Sequence, residues 1–500
     1  TQNATLLKNE IIPGTLDPKV DSSIPVFNIT GYAGIGLQTF SNNVPLMKSS
    51  ANWDLSENAS VFVGKHLIKF GADFQLIRPT TAATMNGRGS LGFTGVFTQN
   101  PQQRSGTGSA IGDLLLGDAN SVTTGTTFDF AERGKYLGLF VQDQWSIARS
   151  VNVTLGLRYE LFYPYTETTD QMANFILSPG DPLYGQMIIA GDSRRPRSLL
   201  SPDKNNWAPR VGFAWNVPHI GGLVVRGAYG IFFAQDTGLG VIHRLTGNPP
   251  FYGYGGLSII SDQLNPSTGF VLSQGASIAR PAPITPKDFV VNPSATSALV
   301  SWAERYTAPY TQQWNFGLQK QLPRGLMWEI NYVGNHGLSF WGSAQGNQPL
   351  VNGPGSPNTR RPLARYTVAP ISALAPWNQS CYHGLATKLE RRFSSGLSFL
   401  ASFTYVKVIN MQDIGINVGG TTADTVQNAY NRKAQRGPSD NNVPMRFVLS
   451  GLWDLPFGPG RQFLSRGWMS RVAGAWQLTA IYGVQSGLPF NLTLSFDNAN

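Results

Sequence analysis

Between residues 151 and 161 the chain alternates without a break. Val151, Val153, Leu155, Leu157, Tyr159 and Leu161 fall on one face, and Asn152, Thr154, Gly156, Arg158 and Glu160 on the other. A period of two kept over that length predicts a β-strand with one apolar and one polar face. Two environments suit such a strand. In a soluble protein its apolar face lies on a core; in an outer-membrane barrel that face meets lipid while the polar face meets a wet lumen. The strand alone does not choose between them.

The rhythm of its neighbours does. Strand pairs are expected at 51–63 and 67–76, at 134–145 and 151–165, at 211–217 and 223–233, and at 314–318 and 326–332. Another follows around 385–389 and 399–405, then strands at 447–455, 476–484 and 490–496, about fourteen in all. Turns of a few residues join the pairs, at 64–66, 146–150, 218–222, 321–325 and 393–396. The connections between pairs are long, at about 79–134, 165–207, 234–309, 335–382 and 408–445. Structureless loops beyond about 15 residues are uncommon in compact soluble domains, whereas membrane barrels combine short periplasmic turns with long extracellular loops. The expected fold is therefore all-β: an antiparallel, up-and-down transmembrane β-barrel over residues 51–500. Residues 1–50, broken by Pro13, Pro18, Pro25 and Pro45, read as an irregular lead-in with room for early barrel strands. Residues 111–117, Ile-Gly-Asp-Leu-Leu-Leu-Gly, suit a short helical turn or an inward loop.

Composition agrees. Only 13% of residues are charged, against roughly 25% in an average globular domain, and the hydrophobic fraction is no higher than usual. No apolar run approaches 18 residues, so no helical span is expected. The opening TQNATLLKNE has no basic region followed by an apolar run, so any signal peptide has been removed or lies outside the segment. One cysteine, Cys381, permits no internal disulfide. The net charge of +10 is spread over separate runs (Arg194, Arg195 and Arg197; Arg360 and Arg361; Arg391 and Arg392). That spread fits loop charges or lipid phosphates and no nucleic-acid partner.

Motifs for catalysis are missing. His66, His219, His243, His336 and His383 show no metal-ligand spacing, and there is no GxSxG or GxxxxGK[ST] run. The expectation is a non-enzyme without cofactor or metal. Asp73, Asp143, Glu160, Glu329 and Glu390 are expected on polar strand faces beside Lys69, Arg158, Arg226, Lys388 and Arg392. There they would form a mutually compensating ladder that keeps a lumen wet or docks a plug. Trp145 at the short-turn end, with Tyr159, Phe162, Tyr163 and Tyr165 at the other, suits two interfacial aromatic girdles. In the 234–309 loop, Phe251, Tyr252, Tyr254 and Trp302 offer rings for stacking on sugars or flat organic ligands. The alternative is that these rings pack the loop against itself.

Nine segments carry a likeness to a known family. They are GKHLIKFGADF at 64–74, FVQDQW at 140–145, LGLRYE at 155–160, APRVGF at 208–213 and RGAYGIF at 226–232. QWNFG at 313–317, KLERRF at 388–393, RFVLS at 446–450 and QSGLPF at 485–490 complete them. In this order they resemble the β-barrel portion of TonB-dependent receptors, in the Oar-like subgroup with a carboxypeptidase-regulatory-like domain. The resemblance implies a bacterial outer-membrane receptor that takes up an extracellular ligand through a plugged barrel. Its partners would be outer-membrane lipid and the TonB complex, reached through the plug. No plug, TonB box, regulatory-like domain or closing aromatic-ended strand is recognisable, so an incomplete barrel is expected. Two other readings remain: a surface protein for adhesion or protein secretion, and a soluble secreted β-rich binding protein.

Overall fold

A computed structural model of the chain describes residues 26–32, 46–84, 90–103, 106–125, 127–234, 245–251, 254–258, 270–272, 299–351, 353, 356–366, 371–412 and 426–490. Twelve long strands follow one another in a single meander. They are β1 (Trp53–Val63), β2 (His66–Ile77), β3 (Thr127–Ala148), β4 (Val151–Glu167), β5 (Trp207–Asn216) and β6 (Leu223–Phe233). Then come β7 (Tyr310–Leu322), β8 (Leu326–Gln345), β9 (Ile371–Ser394), β10 (Leu397–Asn410), β11 (Met445–Asp454) and β12 (Gln477–Gln485). Each pairs antiparallel with the next in sequence. The tight turns are where the sequence predicts them. Ser395 and Gly396 join β9 to β10 with both φ positive, at 53° and 78°, the backbone hand that matches strand twist in a two-residue hairpin.

β1 and β12 are the two edges of the meander, and both are exposed along their whole length. In lipid each unpaired backbone group costs several kcal/mol. The sheet therefore crosses a bilayer only with these edges covered.

Register sorts the side chains into two faces. Leu157 of β4 stands opposite Val141 of β3, and Leu155 opposite Val211 of β5. Phe213 faces Gly227, Phe316 faces Tyr332, and Leu385 faces Tyr405. Phe70, Val141, Leu155, Leu157, Val211 and Phe316 on this outward face are all between 41% and 49% exposed. Such a row is a liability in water and a requirement against lipid. Trp145, Trp215, Trp328 and Trp453 share the face and all lie within a few residues of the short turns. Tyr159, Tyr163 and Trp207 occupy it toward the long loops, with Tyr159 and Trp207 packed ring to ring at 4.6 Å. About ten residues separate the two belts along β4. At ~3.3 Å per residue and ~40° tilt this is about 25 Å of bilayer normal, the height of an outer-membrane apolar band.

Phe162 and Tyr165, expected in the outer girdle, turn instead into a buried core, and one charged residue departs from expectation as well. Asp143 stands opposite Ile68 and Leu155, on the outward face with Val141 and Trp145. Strict period-two counting from Val141 places it there, and its polarity does not override that parity. It is tolerated near the short-turn end because it bonds His66 Nδ1 at 2.7 Å, whose ring in turn stacks on Trp145.

Several strands outlast their sequence-predicted ends. β8 continues to Gln345 and β9 begins at Ile371, which shortens that connection to 346–370. β3 begins at Thr127. The last expected strand is not formed at Phe490, and 491–496 lie outside the described residues.

The long connections fold into a layer with its own core. Met172, Ile176, Leu183, Ile188, Leu199, Leu200, Leu245, Trp302 and Tyr306 cluster on Tyr136, Phe162 and Tyr165 of the projecting strands. Phe175, Leu299, Leu363, Tyr366 and Ile371 make a second cluster. A separate small sheet joins Val26–Ile29, Ser90–Phe93, Ser121–Gly125 and Tyr254–Ser258. It packs on helix α1 (Ala110–Leu116), capped by Ser109 accepting from the Gly112 N–H and ended by Gly117 at φ 81°.

Candidate functional site

The inward face is polar, and its charges meet in two groups. Arg158 is the hub of the first. Its Nη2 lies 2.6 Å from Asp73 Oδ2 and donates to Tyr136 Oη at 2.6 Å, while its Nε reaches Glu160 Oε1 at 3.2 Å. Tyr136 in turn donates to Glu160 at 2.8 Å, and Ser56 donates to Asp73. The guanidinium also sits 5.8 Å from the centre of the Phe140 ring. Gly138 makes room for this arrangement, because a Cβ there would stand 2.5 Å from Tyr136 Oη and 2.6 Å from Arg158 Nη2. The group borders a cavity of about 330 Å³ lined also by Asp54, Gln75, Phe162 and Phe233.

Glu329 organises the second group. Lys388 and Arg226 approach it at 3.4 and 3.5 Å, Asn331 donates to it at 2.8 Å, and Lys388 also pairs with Glu390 at 3.5 Å. The second group balances its own charge, two cations against two carboxylates, whereas the first sets two carboxylates against one guanidinium. The carboxylates of this wall are held in place by partners rather than left free as acids or bases, which suits a hydrated passage better than proton transfer. Strand parity in the sequence placed these charged residues on one face but did not pair them. It missed Tyr136 and Gly138, whose roles depend on the neighbouring strand's register.

Above the wall, two asparagines tie the loop layer together. Asn174 exchanges hydrogen bonds with the Trp302 backbone at 2.8 and 3.0 Å, and Asn248 does so with Val300 at 2.7 and 2.8 Å. Asn248 also donates to Ala173 O at 2.7 Å. Both asparagines are fully buried. They complete the bonding of strand Leu299–Trp302, whose other side pairs parallel with the start of β9.

An acidic pair stands beside them. Arg195 bridges Asp181 and Glu304, the latter at 3.3 Å. Burial pushes the Glu304 carboxyl above its ordinary range, and a hydrogen bond shared with Asp181 adds to that shift. The Leu183 N–H, and then Glu304 itself, hold Asp181 below its ordinary range. At the exposed tip, the Arg194 guanidinium draws Asp192 down to about 2.

Of the four loop aromatics expected to meet a ligand, Trp302 is 2% exposed and packs on Trp341 with ring centres 4.4 Å apart. Phe251 is half-buried. The backbone of Tyr254 pairs with Gly125 in the small sheet. Tyr252 and His243 lie outside the described residues. Among the described residues, no three His, Cys, Asp or Glu side chains converge to hold a metal ion.

Residues 1–500 match the sequence model of one family, the "Outer membrane beta barrel domain", from end to end. The chain belongs to that family. This outer-membrane barrel is thus a protein of the bacterial outer membrane, and its exposed apolar face is a lipid face. It is also similar to three solved structures. The outer membrane transporter YddB from Escherichia coli is 11% identical, with a TM-score of 0.42, covering 88% of this chain and 47% of that one. The FrpB iron transporter from Neisseria meningitidis is 11% identical, with a TM-score of 0.36, covering 82% and 40%. The ferripyoverdine receptor of Pseudomonas aeruginosa is 11% identical, with a TM-score of 0.36, covering 82% and 36%. The barrel spans less than half the length of each. No curated protein sequence matches it.

Proposed function

We propose that this barrel is the membrane-spanning part of a TonB-dependent receptor that admits an extracellular ligand through its lumen. One observation carries the reading: a polar, charge-paired wall lies beneath a loop layer that has its own buried core. A rigid loop layer over a hydrated passage suits capture at one end and passage toward the other. The short turns would then be periplasmic and the loop layer extracellular. The nine-segment resemblance supports energisation by the TonB complex through a plug.

Within the loops, Phe251, Tyr252 and Tyr254 stay the candidate ligand contacts. The Trp302 ring is assigned to packing, since its burial leaves almost no surface to offer. The cavity beside Arg158, with three carboxylates against one guanidinium and the rings of Tyr136, Phe162 and Phe233, suits a polar or cationic ligand in transit. Uptake measured in cells with and without TonB tests the proposal. Ligand-dependent uptake that disappears with TonB supports it; uptake of equal rate in both strains overturns it.

A further inference from the structure

The connection from β11 to β12 breaks the rule of its end. The other connections at that end run from two to six residues, at 64–65, 149–150, 217–222, 323–325 and 395–396, whereas this one spans 455–476. Its length is not slack. Phe463 N donates to Pro456 O at 2.9 Å, and Gly458 N donates to Phe463 O at 3.1 Å. Trp476 Nε1 donates to Val472 O at 2.8 Å, and Ser470 Oγ donates to Gly467 O at 2.8 Å. The neck closes on two glycines: a Cβ on Gly458, at φ 106°, would stand 2.5 Å from the Gly474 Cα. Such a neck tolerates no side chain.

This tied loop turns its apolar side chains outward. Trp468 is 72% exposed and Trp476 62%, and Phe463, Leu464, Met469 and Val472 are exposed as well. The short helix α2 (Trp468–Val472) carries three of them. Arg466 and Arg471 are exposed among them, and Arg461 pairs with Asp454 at 3.6 Å. From 455 to 476 there is no Asp or Glu. Rings and methyls interleaved with unpaired cations, without an acid, form the pattern of a surface lying in a lipid headgroup layer.

Position points the same way. Trp476 continues the outward parity of β12, beside Leu455 and next to Trp453 of the short-turn belt. The loop is therefore continuous with a surface that already faces lipid at the interfacial level. We propose that residues 456–476 are a membrane foot. It seats in the phospholipid leaflet at the short-turn end, with Trp468, Met469 and Val472 among the upper acyl chains and Arg466 and Arg471 on lipid phosphates.

The test uses the intact receptor in vesicles of phosphatidylethanolamine and phosphatidylglycerol. A bimane label is placed by Met469→Cys in a Cys381→Ser background, with Leu157→Cys as a lipid-facing control. Nitroxide lipids labelled near the headgroup should quench the Met469→Cys label at least twofold more than aqueous iodide does. Arg466→Glu with Arg471→Glu should halve that quenching. Vesicles of phosphatidylcholine alone should do the same for the unaltered arginines, and this arm does not depend on the double variant folding. A label quenched by iodide and untouched by lipid nitroxides overturns the foot. So does one shielded from both, which would place a protein segment on this surface.

Discussion

The two ends of this sheet share an outward aromatic belt but differ in what they do with their remaining rings. At the long-loop end, Trp302, Tyr306, Phe162 and Tyr136 turn into a shared core and almost vanish from the surface. At the short-turn end, Trp145, Trp215, Trp328, Trp453 and Trp476 stay outside and exposed. Propensity alone treats these rings alike. The difference lies in what surrounds them: the upper strands have loops long enough to fold over their inner face, while the lower turns have nothing to cover a ring except lipid. An exposed tryptophan at one end is therefore as well placed as a buried one at the other.

Substitutions break that symmetry in order of size. Trp302→Ala removes a buried ring and should cost the loop layer about 3–5 kcal/mol. The loops should become protease-sensitive while the barrel keeps its heat-modifiable mobility on gels. Leu157→Arg puts a charge in the lipid band at about 2–4 kcal/mol and should reduce the yield of folded barrel in vesicles. Thr154→Arg, on the inward face of the same strand, should leave that yield nearly unchanged. Arg158→Met strands Asp73 and Glu160 without their cation, a loss of about 1–3 kcal/mol read from urea unfolding in vesicles. Adding Asp73→Asn and Glu160→Gln should recover most of it.

The smallest effect is a pH dependence confined to the loop end. Glu304 is raised above its ordinary value of 4.5. Its contribution is therefore complete below the unfolded value and fades as pH rises through the raised one. Asp181 is lowered from 3.8, so its contribution is present at neutral pH and is lost only as pH falls through the lowered value. Hydrogen-exchange protection of residues 172–200, taken relative to the intrinsic base-catalysed rate, should therefore fall as pH rises from about 4.5. Glu304→Gln should flatten that fall without touching protection in β9 or β10.

Much of this was legible in the sequence, for physical reasons. Period-two alternation is local, so the two faces of β4 from Val151 to Glu160 could be read from sequence, as could the parity that puts Glu329 and Lys388 on one face. Phe162 and Tyr165, expected in the outer girdle, are buried under the loops. The loop layer could not be read this way. Asn174 and Asn248 act by completing the backbone bonds of a strand more than fifty residues away, and nothing local to an asparagine announces that. Composition leaves Trp302 open to ligand or to packing, and only its burial favours packing. Asp143 shows the reverse case, where parity was available and side-chain chemistry pulled the reading to the wrong face.

The central claim is that one face of each strand meets lipid and the other meets water. Single nitroxide labels at residues 152–158 of β4, in the intact receptor in vesicles, test it through their collision rates with oxygen and with a water-soluble nickel chelate. Oxygen access should peak at 153, 155 and 157 and nickel access at 152, 154, 156 and 158, a clean period of two. Equal nickel access at every position would contradict the account, because it would place both faces of the strand in water.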